Sequence, residues 1–159
     1  MKKIIIVRHA KSSWEEQVDD HSRDLTARGL RDVELVSLEF KKLQEIPDLV
    51  ISSTAKRAKM TADIFKQNLN LSPICLNKDL YDFSGDSLVD TIKQVNMNID
   101  KLMVFGHNHA LTNFVNSYGD IYIDNVPTSG LVIIDFQIES WEYIKIGQTV
   151  KIIFPRDLR

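Results

Sequence analysis

The sequence predicts an α/β fold, a three-layer α/β/α sandwich with a mainly parallel sheet and antiparallel strands at one edge. Apolar runs rich in β-branched residues alternate with segments of helical spacing as far as residue 117. From residue 131 onward the chain contains only strand-like runs separated by tight turns. Alternating strands and helices favour a parallel sheet covered on both faces, and the late strands are expected to extend one edge of it.

The sequence predicts the first strand and the first helix from distinct patterns of apolar and capping residues. Residues 3–8 form an apolar run that predicts a buried strand, and the polar residues 9–25 predict a long loop, which is usually functional in a compact domain. Thr26 is expected to cap a helix that runs to about Glu45 and is stopped by Pro47. The apolar residues expected on the buried face of this helix are Leu30, Val33, Val36, Phe40 and Leu43.

The middle of the chain repeats this pattern. Residues 48–52 predict a second strand, after which Ser53 or Thr54 is expected to cap a helix that runs to about Gln67. The apolar face of that helix contains Ala58, Ala62 and Phe65. Residues 73–77 predict a short strand.

The remaining elements complete the sheet. After the loop 79–86, helical spacing predicts a third helix with Asp86 as its cap and with Leu88, Ile92, Val95 and Ile99 on one face. Residues 101–106 predict a strand and residues 110–117 a short helix. The late strands, expected to form a β-meander, are 131–137, 141–146 and 149–154.

The composition limits the classes of protein to consider. The chain has 159 residues and no repeat or linker, so we expect a single domain over 1–159. A net charge of -2 argues against nucleic acid, and no apolar run approaches the ~20 residues of a membrane helix. The lone Cys75 excludes a disulfide within the chain, is expected to be a small core residue, and favours a cytoplasmic protein. Oligomeric state stays open.

Polar residues gather where the predicted strands end. The first strand ends in Arg8 and His9, the second is followed by Arg57 near the start of a helix, and the strand 101–106 is followed by His107 and Asn108. Ligands bind beyond the carboxyl ends of strands in open sheets of this kind. Guanidinium forks and helix N-termini bind phosphate oxygens, so we expect a phosphate site there. A neutral imidazole can attack phosphorus, and a protonated one can stabilise the transferring group.

Five segments, in order along the chain, resemble the histidine phosphatase superfamily, which includes the phosphoglycerate mutases. They are RHAKSSW at 8–14, RDLTARG at 23–29, SSTAKRAKMTA at 52–62, GHNHAL at 106–111 and PTSGL at 127–131. Within the family the chain is most similar to the short SixA-type phosphohistidine phosphatases. The resemblance implies a phosphoglycerate mutase-like fold and catalysis without a metal or another cofactor.

The resemblance also implies roles for individual residues. His9 would be the phosphorylated nucleophile, Arg8 and Arg57 would bind the phosphoryl oxygens, and His107 would complete the pocket. Many members carry a glutamate acid after the third strand. Asp82 is the nearest candidate for that general acid here, although SixA-type members manage without one.

Other residues are weaker candidates for the phosphate pocket. Arg23, Ser13 and Asn108 are expected to contribute polar groups to it, with Ser12 as an alternative where mutases have an asparagine. Glu15 is expected to point away, because a carboxylate beside phosphate is repulsive. His21 and His109 are expected to be exposed side chains without a catalytic role.

The length of the chain limits how much of it can cover the pocket, and this affects which substrate can enter. Apart from residues 10–25 there is little sequence that could cover the pocket, and an open site suits a phosphoryl group presented on a protein. We therefore expect a partner protein carrying phosphohistidine, such as a histidine-containing phosphotransfer domain. Two alternatives stay open: a small-molecule phosphomonoesterase of broad specificity that takes small phosphate esters, and a catalytically weak phosphate-binding module.

Overall fold

A computed structural model describes all residues, Met1–Arg159, and consists of one six-stranded sheet between two layers of helices. The strands are β1 (Lys2–Arg8), β2 (Leu49–Ser52), β3 (Cys75–Leu76), β4 (Lys101–Gly106), β5 (Leu131–Phe136) and β6 (Gln148–Ile153). The helices are α1 (Ala27–Lys41), α2 (Lys56–Leu69), α3 (Asp86–Lys93) and α4 (Ala110–Tyr118). Short 3-10 turns lie at Asp20–Ser22, Lys78–Leu80, Trp141–Tyr143 and Pro155–Asp157.

The strand order confirms the predicted fold class. The order is β3-β2-β4-β1-β5-β6, in which β3, β2, β4 and β1 are parallel and β5 and β6 are antiparallel. The parallel strands are those followed by helices or loops that cross back over the sheet. The late hairpin strands extend the edge beside β1, as the sequence predicts.

The central strand β1 shows how the two cores form. Its residues from Ile4 to Val7 are fully buried because helices cover both faces of the sheet. Ile4 and Ile6 belong to the apolar cluster that includes residues of α3 and α4, whereas Ile5 and Val7 belong to the cluster on the α1 and α2 face. This alternation follows from the two-residue period of a strand. Burial of each of these side chains is worth roughly 1.5–3 kcal/mol.

Helix α1 begins as predicted but does not bury every predicted residue. The Thr26 side chain accepts a hydrogen bond from the Gly29 amide and so caps the helix. Val33, Val36 and Phe40 are buried. Leu30 is exposed, so its prediction as a core residue is wrong; the helix turns that position away from the sheet.

Three other local predictions are wrong. The segment 141–146 is not a strand, because Trp141 is buried, starts a 3-10 turn and donates its indole N–H to the Ile99 carbonyl at 2.8 Å. Helix α3 ends at Lys93, so Ile99 packs against the core from a loop. Cys75 is exposed, since β3 has only two residues and lies at the sheet edge.

The helix starts also differ from expectation. Helix α2 begins after Ala55 with no side-chain cap; Ser53 and Thr54 make other contacts described below. Helix α3 begins at Asp86 itself, after Gly85, whose φ of 115° is in a region that favours glycine. No helix is long and apolar enough to span a membrane.

The strand register brings three strand ends to one edge of the sheet. Arg8 on β1 lies opposite Gly106 on β4, and Ser52 on β2 lies opposite Phe105. His9, Ser53 and His107 are the next residues along the chain. The parallel arrangement of these strands therefore creates the site, since their carboxyl ends must face the same way.

Candidate active site

Two imidazoles and two guanidiniums meet at this edge. The ring centroids of His9 and His107 are 5.2 Å apart, and the Arg57 Nε lies 3.4 Å from the His9 Nε2. An open cleft of about 320 Å³ lies over them. Its lining residues are Arg8, His9, Lys11, Ser12, Trp14, Asp20, Arg23, Arg57, Phe83, Asn108 and Thr128. His107 lies behind this lining, against His9.

His9 is held as a neutral imidazole with one nitrogen available. Its Nδ1 lies 2.8 Å from the carbonyl oxygen of Ala10. Because a carbonyl oxygen only accepts, Nδ1 carries the proton, and the lone pair is on Nε2. The side chain is only 6% exposed, and Nε2 accepts one long hydrogen bond, from Arg57 Nε at 3.4 Å, which an incoming phosphoryl group displaces. This tautomer is the one that a nucleophile for phosphorus requires.

His107 is arranged as a hydrogen-bond donor. Its Nε2 lies 2.8 Å from the Ser53 hydroxyl, which already accepts a hydrogen bond from the Ala55 amide. The Ser53 hydroxyl has one proton and a second lone pair, so it can either donate to His107 Nε2 or accept from it; the tautomer in which Ser53 donates has its imidazole proton on Nδ1 and is the one that can bind an anion. Nδ1 is buried and has no partner within the protein. Buried donors are rarely left unpaired, so this one is suited to an oxygen of a bound anion.

Arg57, on the first turn of α2, donates hydrogen bonds through all three of its guanidinium nitrogens. Nε donates to His9 Nε2, Nη1 donates to the Asp20 carbonyl at 2.6 Å, and Nη2 donates to the Asp20 carboxylate at 2.9 Å. Arg8 donates to the Val126 carbonyl at 2.9 Å through Nη1, while its Nε is buried without a partner. The two guanidiniums thus place positive charge beside the His9 ring.

This charge and the burial both affect the histidines. Burial lowers the pKa of His9 well below its usual value; the bond to Ala10 opposes this, and His107, Arg57 and Arg8 lower the pKa further. Burial and then Arg57 lower the pKa of His107 to about 3. Both rings are therefore neutral at pH 7. The sequence-based expectation of a protonated second imidazole does not apply to the free protein, because the arginines already supply the positive charge.

The matching family model decides which group of proteins this is. The model of the histidine phosphatase superfamily, branch 1, matches residues 4–94 of the chain. The chain belongs to the histidine phosphatase superfamily. An uncharacterised protein of Mycobacterium tuberculosis is 31% identical over 101 residues, which are 64% of this chain and 62% of that relative, so the match spans less than two thirds of the relative's length.

Solved structures of several phosphatases share the fold. The protein histidine phosphatase SixA, complexed with tungstate, superposes with a TM-score of 0.84 at 19% identity and covers 99% of each chain. A mycobacterial glucosyl-3-phosphoglycerate phosphatase superposes with a TM-score of 0.67 at 10% identity, covering 94% of this chain and 97% of that one. These likenesses confirm the phosphoglycerate mutase-like architecture.

The weaker candidates for the phosphate pocket occupy different positions in this member of the family. Arg23 lines the cleft, where it donates to the Ser12 hydroxyl at 2.6 Å and lies 3.5 Å from the centre of the Trp14 ring. Asn108 lines it too, but its side chain is engaged by Thr112 and Asn125.

Ser13 is not among the lining residues. Its hydroxyl accepts from the Glu15 amide, while the preceding residue, Ser12, faces the cleft. Successive residues of an extended segment face opposite sides, which explains why Ser12 faces the cleft and Ser13 does not. Glu15 is exposed, as expected. No group of three or more His, Cys, Asp and Glu side chains is placed to hold a metal ion.

Asp82 is engaged in capping rather than directed to the cleft. Its Oδ2 accepts from the amides of Gly85 and Leu88 at the start of α3, and its Oδ1 accepts from the amide and hydroxyl of Ser84. Burial acts to raise the pKa of Asp82, but these hydrogen bonds outweigh it and lower the pKa. A carboxylate stabilised in this way is a poor proton donor, so the geometry does not support the predicted acid.

Sequence reasoning missed Asp20, Tyr81 and Phe83. The rings of Tyr81 and Phe83 contact His107, with centroids 5.3 and 5.2 Å away. Asp20 contacts Arg57 and lines the cleft. His21, expected to be exposed, is half-buried because it bonds the Thr54 hydroxyl at 2.8 Å. These four residues lie in loops and short 3-10 turns, where no repeating apolar pattern shows which side chains face the site.

The lowered pKa of His107 predicts a pH dependence of stability. In the unfolded chain a histidine titrates near pH 6.5, so between about pH 6.5 and 3 the unfolded state binds a proton that the folded state does not. Stability is then complete above pH 6.5 and falls as the pH falls. In urea unfolding we expect His107→Asn to reduce this fall, by up to about 1.4 kcal/mol per pH unit. Parallel curves for the two proteins between pH 6.5 and 4 would contradict the assignment.

The capping role of Asp82 predicts the behaviour of its variant. Asp82→Asn should lower the free energy of unfolding by about 1 kcal/mol, because one acceptor oxygen is replaced by an amide group that faces N–H donors. It should change kcat/KM for an aryl phosphate and for phosphohistidine by the same factor. Asp79→Asn, at an exposed carboxylate nearby, is the control. A loss confined to the ester would restore Asp82 as the general acid.

Proposed function

We propose that the protein is a phosphatase that transfers a phosphoryl group to His9 Nε2 and then to water, without a metal. The observation that carries this proposal is the His9 tautomer: Nδ1 is fixed on the Ala10 carbonyl and Nε2 faces a buried arginine. Phosphorus can approach Nε2 because His9 lines an open cleft. Membership of the histidine phosphatase superfamily supports the same chemistry.

The first step is binding of the phosphoryl oxygens. Arg8 Nε and His107 Nδ1 are buried donors without protein partners, and Arg57 Nε already points at the nucleophile. Together they neutralise the charge that spreads over the equatorial oxygens during transfer. A bound dianion also raises the pKa of His107, since it places negative charge beside an imidazole that is otherwise near two cations. The residues themselves thus supply the positive charge that a metal supplies in other phosphatases.

The two transfers conserve the proton on His9. The Nε2 lone pair forms the bond to phosphorus while the leaving group departs with the electron pair of its own bond. The phosphorylated ring is then cationic, and the Ala10 carbonyl stabilises its remaining N–H. Water attacks phosphorus next, the electron pair of the P–N bond returns to Nε2, and the protons of the water stay on the released phosphate, so His9 returns to its starting tautomer.

The substrate we propose is phosphohistidine on a partner protein, in the cytoplasm. The cleft is open, and two large side chains at its mouth are exposed: Trp14 at 77% and Phe83 at 47%. Exposed aromatic side chains are typical of surfaces that contact proteins. The SixA structure, which shares this fold over almost the whole chain, is described as that of a protein histidine phosphatase.

A small phosphate ester is the second candidate. The mycobacterial phosphatase with the same fold is named for the small metabolite glucosyl-3-phosphoglycerate. An open cleft would admit such esters with little selectivity. Binding of phosphate without turnover is less favoured, because Arg8, His9, Arg57 and His107 are all in position.

Substitution of His9 tests the mechanism. In EDTA the protein should hydrolyse p-nitrophenyl phosphate, and His9→Ala should abolish turnover, because the other imidazole of the site, His107, offers an N–H to the phosphoryl oxygens and not a lone pair to phosphorus. His109→Ala is the matched control, since His109 is exposed and adjacent in sequence to the site. Loss of activity on chelation would contradict the metal-free mechanism, and full activity of His9→Ala would contradict the intermediate.

A substrate comparison tests the second half of the proposal. We expect kcat/KM to be higher for a phosphohistidine-carrying phosphotransfer domain than for any member of a panel of sugar phosphates, because the mouth of the cleft fits a protein surface. For both kinds of substrate, kcat/KM is measured from the rate of phosphate release under identical conditions. A preference for one of the sugar phosphates would favour the small-molecule alternative instead.

A further inference from the structure

Asp20 is a carboxylate in the phosphate cleft, where a negative charge needs an explanation. It lines the same cleft as Arg8 and Arg57, and its side chain is 41% exposed. A carboxylate near a phosphoryl dianion is repulsive, so it disfavours every phosphate substrate unless it also meets a positive charge on the substrate. Its bond to Arg57 offsets this cost only in part, because the same arginine is shared with the bound phosphoryl group.

We propose that Asp20 accepts a hydrogen bond from the protonated imidazole of a phosphohistidine substrate and thereby selects phosphoramidates over phosphate esters. The inference rests on the proposed function, which it makes more specific. In a phosphohistidine whose second ring nitrogen is protonated, the leaving group is cationic before transfer. A phosphate ester has no such charge to offer to a carboxylate.

The exposure of Asp20 places it on the side from which a leaving group departs. Arg57 contacts His9 through Nε and the Asp20 carboxylate through Nη2, so one planar group holds both the nucleophile and the carboxylate. His9 is at the floor of the cleft, whereas Asp20 is near its mouth. In-line attack by Nε2 directs the leaving group away from the floor, and thus toward the mouth.

The carboxylate is ionised and has capacity for another donor. Burial acts to raise its pKa, but hydrogen bonds from Tyr81, Arg57 and Arg23 lower the pKa of Asp20 to about 2. Asp20 therefore cannot supply a proton, but it can accept one hydrogen bond more. Its Oδ1 receives only the Arg23 Nε, at 3.2 Å, whereas Oδ2 receives both Arg57 and Tyr81.

The transfer step balances without a proton donor from the protein. The lone pair of His9 Nε2 forms the new N–P bond, and the electron pair of the old P–N bond returns to the substrate ring. The ring leaves as a neutral imidazole that keeps the proton on its second nitrogen, where Asp20 accepts it as a hydrogen bond. His9 becomes the cationic phosphorylated ring, so the positive charge moves from the substrate to the enzyme. This explains why the site functions without a general acid.

The test compares two small probes, phosphoimidazole and p-nitrophenyl phosphate. Asp20→Asn should lower kcat/KM for phosphoimidazole about tenfold or more, the effect of removing one charged hydrogen-bond acceptor. Its kcat/KM for p-nitrophenyl phosphate should fall by a clearly smaller factor, the share that comes from the weakened contact with Arg57, so that the ratio of the two kcat/KM values falls. Asp20→Glu keeps the charge and should retain the preference for phosphoimidazole. Asp24→Asn, at a half-buried carboxylate paired with Lys56, is the matched control.

The outcomes separate this inference from the proposed function. An equal loss on both probes would mean that Asp20 only positions Arg57, and would overturn the inference while leaving the phosphatase intact. No turnover of either probe by the unsubstituted protein would overturn the proposed function and the inference with it. Thermal unfolding of each variant excludes loss of fold as the cause, and Asp20→Glu repeats the test if Asp20→Asn does not fold.

Discussion

The ion pair between Arg57 and Asp20 is the interaction on which the cleft depends. Arg57 is 2% exposed, and a buried guanidinium is costly unless its donors are satisfied. Asp20 satisfies two of its nitrogens with a carbonyl and a carboxylate, and the third is left to face His9. The same contacts tie the loop that carries Asp20 to helix α2. The order of the loop and the charge beside the nucleophile therefore have one cause.

Burial in the first place, and the positive charge of this cleft in the second, determine the protonation state of the imidazoles. Because the arginines are permanently charged, burial and their proximity keep His9 and His107 neutral. Neutrality is needed for the nucleophile, whose lone pair would otherwise carry a proton. His107 loses the capacity to act as a cation in the free protein but keeps an N–H for an anion. The guanidiniums thus provide the charge, and the histidines provide a lone pair and a donor.

The local errors of sequence-based prediction have related physical causes. The alternation in residues 141–146 resembles a strand, yet Trp141 is buried by packing against Phe136 and by its bond to Ile99. Asp82 is the nearest candidate for the acid that the family resemblance implies, yet the amides at the start of α3 engage it. In each case a tertiary contact, or a hydrogen bond to a helix terminus, outweighs the local pattern. The long periodic elements, such as β1 and α1, were predicted well because their patterns repeat over several turns or residues.

Apart from the segment 141–146, the sequence by itself determined the order of strands and helices, and it pointed to Arg8, His9, Arg57 and His107 because these residues end or closely follow apolar strands. Their convergence follows from the carboxyl ends of parallel strands lying at one edge of a sheet. Only the tertiary structure decided the tautomer of His9, the capping role of Asp82 and the presence of Asp20 and Tyr81 in the cleft. The reason is that irregular loops have no period: their side chains are placed by hydrogen bonds to distant residues, which the order of residues along the chain does not reveal.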